Sequence, residues 1–405
     1  MAGMAAWRKA LRALGIAGFG FAVAGATIWA ALAIYYSELP GEGLRLGLAA
    51  AFASGTLAAF LFLPNRRRTL FGFAAVFAVL LLWWTRVEPS NERDWQPDVA
   101  VLPHATRDGD LVTLHNVRNF DYRTEQDFVT GYEDRTFDLR QLDAVDLIAV
   151  YWAGDAIAHI MISFGFAGDH VAFSIETRKE KGEAYSSIAG FFKQYELIYV
   201  VGDERDLIRV RTNYRRPEER AYLYRTRMNP ENARRLFLEY VARVNQLHER
   251  PEFYNALTTN CTTDAWALAR ALSDRIRLDW RVVLSGYYPE YAYNLGSLDT
   301  SMPFAELKAI SLINDGAQAG DQDPDFSARI RDGLPRPPVR ATPASRRTCR
   351  QARTRPREAS VASSQEASSC GLKCPIDACG SAQGPNGWSA SHPIRECMMD
   401  AEHRA

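Results

Sequence analysis

The sequence predicts a membrane-anchored α+β protein, in which apolar N-terminal segments precede a soluble domain. Residues 1–85 are almost entirely apolar, whereas strand-length alternation recurs from about Asp98 to Thr212. Helical spacing takes over from Asn229 onward. Strands followed by helices, without regular alternation of the two, favour a domain built on an antiparallel sheet. The fold class expected from these observations is therefore α+β, preceded by about three transmembrane helices.

Three apolar stretches make up the expected membrane anchor, residues 1–87. Residues 14–36 carry no charge and can cross about 30 Å of hydrocarbon, and residues 46–64 approach the roughly 20 residues that a spanning helix needs. The third stretch, residues 70–84, is shorter but ends in two tryptophans, which are typical of the membrane–water interface. We therefore expect all three stretches to span the membrane.

Basic residues around these stretches predict the orientation. Arg8, Lys9 and Arg12 precede the first stretch and three arginines at 66–68 lie between the second and third, whereas the loop at 37–45 has one arginine. The positive-inside rule then places the soluble domain outside the cytoplasm, in the periplasm of a protein of the inner (cytoplasmic) membrane. A cleaved signal peptide is the alternative, but the first stretch is too long and lacks a small-residue cleavage site.

The overall composition argues against several classes of partner. The 405 residues contain 48 basic and 48 acidic residues, a balance without a polyanion-binding signature, so nucleic acid is not an expected partner. Residues 335–405 are rich in Arg, Ser and Pro and poor in large apolar residues, which predicts a disordered tail. This tail holds five of the six cysteines, and their spacing is not a zinc pattern. We expect neither a metal site nor a cofactor.

The soluble domain, residues 88–334, contains a series of strand patterns. These lie at residues 111–114, 136–139, 145–152, 158–166, 171–177, 196–201, 207–212 and 221–224. Ala167-Gly168-Asp169 between two of them is a hairpin signal. A helix is predicted from the cap at Asn229 to about Leu247, and a second helix is predicted to begin at Cys261.

Cys261 is a candidate nucleophile. It is the first cysteine of the chain, and it follows Thr258-Thr259-Asn260, residue types that cap helix N-termini. Unpaired N–H groups and the positive end of a helix dipole would stabilise a thiolate and lower the thiol pKa from about 8.5. A buried structural cysteine is the alternative, as is a disulfide with a tail cysteine in an oxidising compartment.

A cysteine nucleophile needs a base, and the hairpin favours His159. A turn at Ala167-Gly168 places His159 opposite Glu176, and a turn shifted by one residue leaves the two diagonal on one face. Either register brings a carboxylate to the ring, and we expect Glu176 to accept the Nδ1 proton so that Nε2 faces the thiol. His170, nearer the turn on the same face, is the alternative base. In the non-catalytic alternative, His159 is an ordinary hydrogen-bonded histidine at the edge of the core, and Glu176 is a solvated partner in an ion pair.

An oxyanion formed during attack by Cys261 would need two donors. The Cys261 backbone N–H at the helix start is one, and the side chain of Asn260 or Tyr254 would supply the other. Three further residues are candidates to line the cleft or to bind an anionic head group: Asn255, Arg205 and Arg211.

Five segments carry a resemblance to a known family. They read AHIMISFGF (158–166), SIETRKE (174–180), YELIYV (195–200), DERD (203–206) and FYNALTTNCTT (253–263). Together they resemble the Lnb N-terminal periplasmic domain family, over roughly residues 94–298. The resemblance implies a circularly permuted papain-like (NlpC-type) fold, with His159 as base and Cys261 as nucleophile. Glu176 matches the family's Ser-x-Glu element.

The family's namesake is similar to a lipoprotein intramolecular transacylase, in which a cysteine attacks a lipid ester and passes the acyl chain to an amino terminus. The resemblance therefore implies a thiol-dependent acyltransferase or hydrolase acting on membrane lipid or lipoprotein acyl esters. The transacylase has further membrane spans after its catalytic domain, which this sequence lacks, so lipoprotein N-acylation itself is not predicted. A non-catalytic periplasmic binding or scaffold domain and a cell-wall peptidase or amidase remain open alternatives.

Overall fold

The computed structural model describes residues 2–335, in which three long helices precede a mixed α/β domain. The helices are α1 (Ala2–Tyr35), α2 (Glu42–Phe62) and α3 (Arg66–Thr85). Each is long and apolar enough to cross a membrane, so the three predicted stretches all fall within apolar helices. Helix α3 begins earlier than predicted because the Asn65 side chain caps it by accepting the Arg68 backbone N–H. Residues 336–405, the predicted tail, lie outside the described residues.

Most strands of the domain form one antiparallel sheet. The strands are β1 (His104–Asp108), β2 (Leu111–Arg118), β3 (Asp121–Tyr122), β4 (Phe128–Val129), β5 (Tyr132–Asp138), β6 (Leu142–Tyr151), β7 (Ala158–Phe166), β8 (Asp169–Arg178), β9 (Glu196–Gly202) and β10 (Arg220–Arg225). The order in the sheet is β1-β2-β9-β8-β7-β6-β10, with β5 also paired to β2, while β3 and β4 pair separately. One bridge between β2 and β9 is parallel and the other pairings of the sheet are antiparallel, as predicted.

Helices cover both faces of the sheet. They are α4 (Glu204–Leu207), α5 (Pro230–Glu249), α6 (Cys261–Arg270), α7 (Trp280–Val283), α8 (Tyr288–Asn294), α9 (Phe304–Ile310), α10 (Asn314–Ala319) and α11 (Phe326–Arg329). On one face, the ring of Phe237 from α5 lies 5.1 Å from that of Phe164 on β7. On the other face, Ala317 and Phe326 pack with apolar residues of α4 and the central strands. The central strands are therefore buried on both sides.

The β7–β8 hairpin has the first of the two registers that the sequence allowed. Ala167 and Gly168 form its turn with φ values of 51° and 101°. Two-residue hairpin turns of this kind need positive φ at both central positions, because that twist matches the strands. The register, continued along both strands, brings His159 opposite Glu176.

The strand predicted at residues 207–212 is wrong. The chain leaves β9 at Gly202 and forms α4 followed by a turn of π-helix, Val210–Tyr214. Asp203 starts this helical segment, because its side chain accepts the Arg205 backbone N–H. Leu207 and Ile208 are adjacent and are both buried in the same core cluster, whereas a strand would direct them to opposite faces.

Candidate active site

Helix α6 begins at Cys261, as predicted, because Asn260 closes a capping box. The Asn260 side-chain oxygen accepts the backbone N–H groups of Thr262 and Thr263 at 2.9 and 3.0 Å, and the Thr263 hydroxyl accepts the Asn260 N–H at 2.9 Å. Cys261 is therefore the first helical residue, and its N–H has no intrahelical acceptor. The thiol sits at the positive end of the helix dipole, where a negative charge is stabilised.

Strand β7 carries His159 to this helix start. The imidazole lies against the Cys261 thiol within hydrogen-bonding reach, although about a hundred positions separate the two residues in sequence. The Ile160 backbone N–H also donates to the sulfur, and the Thr262 hydroxyl lies 3.7 Å from it. His159 is 9 % exposed and Cys261 is half-buried. The structure thus brings the expected base and the expected nucleophile together.

Ser174 mediates the contact between the ring and the carboxylate. Its hydroxyl donates to Glu176 Oε1 at 2.6 Å and lies 2.7 Å from His159 Nε2. Because the single hydroxyl proton goes to the carboxylate, Ser174 Oγ must accept from the ring, so Nε2 carries a proton. Nδ1 is then the nitrogen left to take the proton of the thiol.

This tautomer corrects the sequence expectation, which assigned Nδ1 to the carboxylate and Nε2 to the thiol. Glu176 Oε1 lies 3.2 Å from Nε2, on the same side of the ring as Ser174. The physical reason is the Ser-x-Glu spacing on β8: residues two apart share one face of a strand, so both side chains meet the same edge of the ring. Ser174 was missed as a site residue, although this spacing was the signal for it.

Arg211 holds the Glu176 carboxylate in place. Its Nη2 donates to Glu176 Oε1 at 2.6 Å, and its Nη1 lies 3.6 Å from Glu219. Arg215 pairs with the same Glu219 at 3.0 Å, so two arginines and two carboxylates alternate. Arg211, a candidate for head-group binding in the sequence, is 5 % exposed and serves as the partner of Glu176. Arg215 and Glu219 are not among the residues that the sequence predicts for the site.

The charges of these groups shift their protonation equilibria in opposite directions. Burial lowers the pKa of His159, but the Glu176 carboxylate and the Cys261 thiolate outweigh it and raise that pKa from 6.5 to about 9. Burial raises the pKa of Cys261, yet the His159 ring and the Ile160 N–H bring it below 9.0. Despite burial, His159 and Arg211 hold the pKa of Glu176 well below 4.5. All three directions favour a thiolate beside an imidazolium.

The thiol opens into a cleft of about 1010 Å³. Cys261, His159, Glu176 and Tyr254 line it. Its lining also includes apolar and aromatic residues, among them Trp152, Tyr185, Phe191 and Val283. Charged residues of both signs line it as well: Arg118, Lys179, Arg211 and Arg215, and Asp98, Glu125, Glu176 and Glu219. A substrate with an extended apolar part could therefore reach the sulfur.

The remaining expected site residues differ in their placement. Tyr254 lines the cleft. Asn260 also lines the cleft, but its side chain is engaged in the cap and in a 2.8 Å bond from Nδ2 to the Ala256 carbonyl. Asn255 and Arg205 are not among the cleft residues. Asn255 instead shapes the loop before α6, where its side chain accepts the Leu257 N–H at 3.0 Å.

The other histidines within residues 2–335 lie away from the thiol. His170, the alternative base, is six residues along β8 from Glu176, which corresponds to about 20 Å in a strand. His104 stacks on His115 and approaches His248, with ring centroids 4.5 and 5.0 Å apart, and these rings are not among the cleft residues. Among residues 2–335, no group of three His, Cys, Asp or Glu side chains is arranged to hold a metal ion.

Comparison with known protein families gives a match within the domain. Residues 129–286 match the family model of the Lnb N-terminal periplasmic domain, and this range contains β7, β8 and the start of α6. No curated protein and no solved structure matches the chain significantly. A periplasmic domain that follows three apolar helices makes this a membrane-anchored protein. Over residues 129–286, the chain is therefore similar to the Lnb N-terminal periplasmic domain family.

Proposed function

We propose that the protein is a thiol-dependent acyltransferase or hydrolase that acts on lipid or lipoprotein acyl esters at the periplasmic face of the inner membrane. Cys261 is the nucleophile, His159 the base and Glu176 the group that orients the base. The observation that carries the proposal is the position of the thiol: it lies at a capped helix start, against a buried imidazole whose other nitrogen is hydrogen-bonded to Ser174.

The proposed topology has three spans, with residues 88–334 as the periplasmic catalytic domain. The distribution of basic residues around α1 to α3 supports this orientation. Within the domain, the base precedes the nucleophile in the chain, and the nucleophile starts a helix that packs against the strand of the base. This order supports a circularly permuted papain-like architecture.

The first half of the reaction forms an acyl-thioester. The Cys261 proton passes to His159 Nδ1, and the thiolate attacks the carbonyl carbon of the ester. The Cys261 N–H and the Tyr254 hydroxyl are the donors available for the oxyanion. When the tetrahedral intermediate collapses, the carbon–oxygen bond of the ester breaks and the imidazolium returns its proton to the departing alkoxide.

The second half transfers the acyl group. His159 accepts a proton from an incoming amine or water, the nucleophile attacks the thioester carbonyl, and the carbon–sulfur bond breaks to restore the thiolate. The Ser174–Glu176 pair fixes the ring in one tautomer through both steps. Its role parallels that of the acidic member of a catalytic triad, which orients the base and stabilises the imidazolium.

Intact-mass analysis of the full chain incubated with membrane lipids tests the proposal. The expected result is an increment of one acyl chain in the wild type that is absent from Cys261→Ala. A variant with serine at all five tail cysteines is the matched control, and it should retain the increment, because that adduct maps to Cys261. An equal increment in Cys261→Ala would contradict the proposal. Release of amino acids from peptidoglycan fragments, without any lipid adduct, would instead indicate a peptidase.

A further inference from the structure

Ile188, Phe191 and Leu257 are exposed apolar residues on two loops that border the cleft through Ser187, Phe191 and Ala256, and we call this surface the apolar rim. We propose that the apolar rim lies in the interfacial layer of the bilayer and admits one acyl chain of a membrane lipid directly to Cys261. The inference deepens the proposed function by naming a bilayer-resident acyl chain as the substrate, and it rests on that function.

The loop of the apolar rim is tied to the end of the membrane anchor. Phe192, next to Phe191, stacks on Tyr36 just beyond α1, with ring centroids 5.7 Å apart. It also approaches Trp29 of α1 at 6.4 Å, and Trp29 packs edge-on against Trp84 of α3 at 5.2 Å. Tryptophan and tyrosine rings at helix ends mark the membrane–water interface. This aromatic group therefore places the loop at the level of the lipid head groups.

Polar contacts reinforce the same attachment. The Lys193 ammonium donates to the Trp84 and Val87 carbonyls at 3.1 and 2.8 Å, at the C-terminal end of α3. Arg93 pairs with Glu38 in the α1–α2 connection and also with Glu196 of β9 at 2.9 Å. The domain is thus held against the two helix ends and the connection between α1 and α2, so the loop has one side toward the bilayer surface.

The side chains of the apolar rim are exposed to solvent, whereas exposed side chains on a soluble protein are usually polar. Ile188 is 54 % exposed, Phe191 44 % and Leu257 50 %. The two loops form one surface, since the Ala256 N–H donates to the Gly190 carbonyl at 3.0 Å. Contiguous exposed apolar side chains mark interaction sites, and next to the helix ends the partner is the bilayer itself.

The apolar rim continues into the cleft. Phe191 belongs to the rim and also lines the cleft that contains Cys261, and Leu257 precedes the thiol by four residues. The charged residues that line the cleft are four basic and four acidic, so they have no net charge with which to select an anionic head group. Recognition therefore falls to the apolar lining residues, which suit an acyl chain.

Photo-crosslinking of the full chain in lipid nanodiscs tests this inference. A genetically encoded p-benzoylphenylalanine replaces Phe191 or Leu257, and the nanodiscs contain phosphatidylethanolamine, phosphatidylglycerol and a trace of phospholipid with an alkyne-tagged acyl chain. We expect lipid adducts at both positions to exceed those at a control position several-fold. Alkylation of Cys261 by iodoacetamide verifies that each variant retains the folded site.

Leu111 is the matched control, because it is also 44 % exposed. Asp110, the neighbour of Leu111, pairs with Arg234 in the first turns of α5. Asn91, which follows the membrane anchor, instead donates to the Leu247 carbonyl near the other end of α5. Thirteen residues of helix correspond to about 20 Å, so Leu111 lies well away from the anchor.

The outcomes separate this inference from the proposed function, since crosslinking requires no chemistry at Cys261. Adducts at 191 and 257 no stronger than at 111 would overturn the apolar rim as a lipid contact, even if Cys261 became acylated. Strong lipid adducts that persist in Cys261→Ala would support the apolar rim as a lipid contact. If the wild type also never gained an acyl increment, the proposed acyltransferase or hydrolase activity would be refuted while the apolar rim stood.

Discussion

Replacement of His159 by alanine should abolish the enhanced reactivity of Cys261. In the wild type, burial raises the pKa of the thiol and the adjacent imidazolium overcomes that effect. In the variant, the thiol keeps its buried position and its helix start but loses the cation, while the Glu176 carboxylate remains nearby. The pKa of Cys261 should therefore rise to or above that of an ordinary cysteine.

The magnitude follows from the protonation equilibria. The rise of the His159 pKa from 6.5 to about 9 corresponds to about 3 kcal/mol of stabilisation of the imidazolium. A thiol with a pKa of about 8.5 is only about 3 % thiolate at pH 7, so the lowering of the Cys261 pKa by His159 increases the reactive fraction at that pH. Low-pKa thiolates are intrinsically weaker nucleophiles, which reduces the advantage. We expect His159→Ala to alkylate at pH 7 about ten-fold more slowly than the wild type.

The assay is alkylation by limiting iodoacetamide between pH 5 and pH 9, followed by quantification of the Cys261 peptide by mass spectrometry. His170→Ala is the control variant, because that residue lies at the other end of β8 and should leave the profile unchanged. A wild-type profile with a midpoint near 8.5, or equal rates at pH 7 in the wild type and His159→Ala, would refute the reasoning.

Three further predictions follow from the network around the thiol. Glu176→Gln should lower the pKa of His159 from about 9 toward 6.5, so that the ring is no longer charged at a pH between these values. Alkylation of Cys261 at pH 8 should therefore slow, and an unchanged rate would contradict the effect assigned to the Glu176 charge. Asn260→Ala removes both hydrogen bonds of the cap and should cost about 1 kcal/mol of stability, measured by denaturant unfolding, whereas Asn260→Asp should cost less. Gly286→Ala should destabilise the protein more than Gly316→Ala, since a Cβ at 286 would lie 2.1 Å from the Asp155 carbonyl oxygen, whereas a Cβ at 316 would meet its nearest atom at an ordinary 3.5 Å. Equal melting temperatures would contradict this.

Local signals in the sequence predicted the two elements that carry the chemistry. The Thr-Thr-Asn run before Cys261 indicated a helix start, and the capping box at Asn260 confirms it. The Ala167-Gly168 pair indicated a tight turn, which fixes the strand register and hence the position of His159 relative to Glu176. Both inferences depend on backbone preferences that act over a few residues, so a single sequence was enough.

The rest of the network depends on contacts between distant segments. The segment that follows β9 was interpreted as a strand, because its apolar residues fit a short alternating pattern as well as they fit a helical turn. The helical form places Arg211 beside Glu176, 35 positions earlier in the chain, and next to Glu219. The pairing of these charges follows from how the helical segment packs on the sheet, which no local pattern encodes.

Arg211 has two effects that a simple Cys–His–Glu description omits. Its bond to Glu176 compensates a buried carboxylate that would otherwise be costly, because an uncompensated charge in the interior is strongly destabilising. Its positive charge also lowers the pKa of His159, against the carboxylate that raises it. A base with a very high pKa would take the thiol proton readily but return it poorly to a leaving group, since efficient acid–base catalysis needs a pKa near the working pH. Arg211 therefore limits how basic Glu176 can make the ring, and so helps His159 to act as both acceptor and donor.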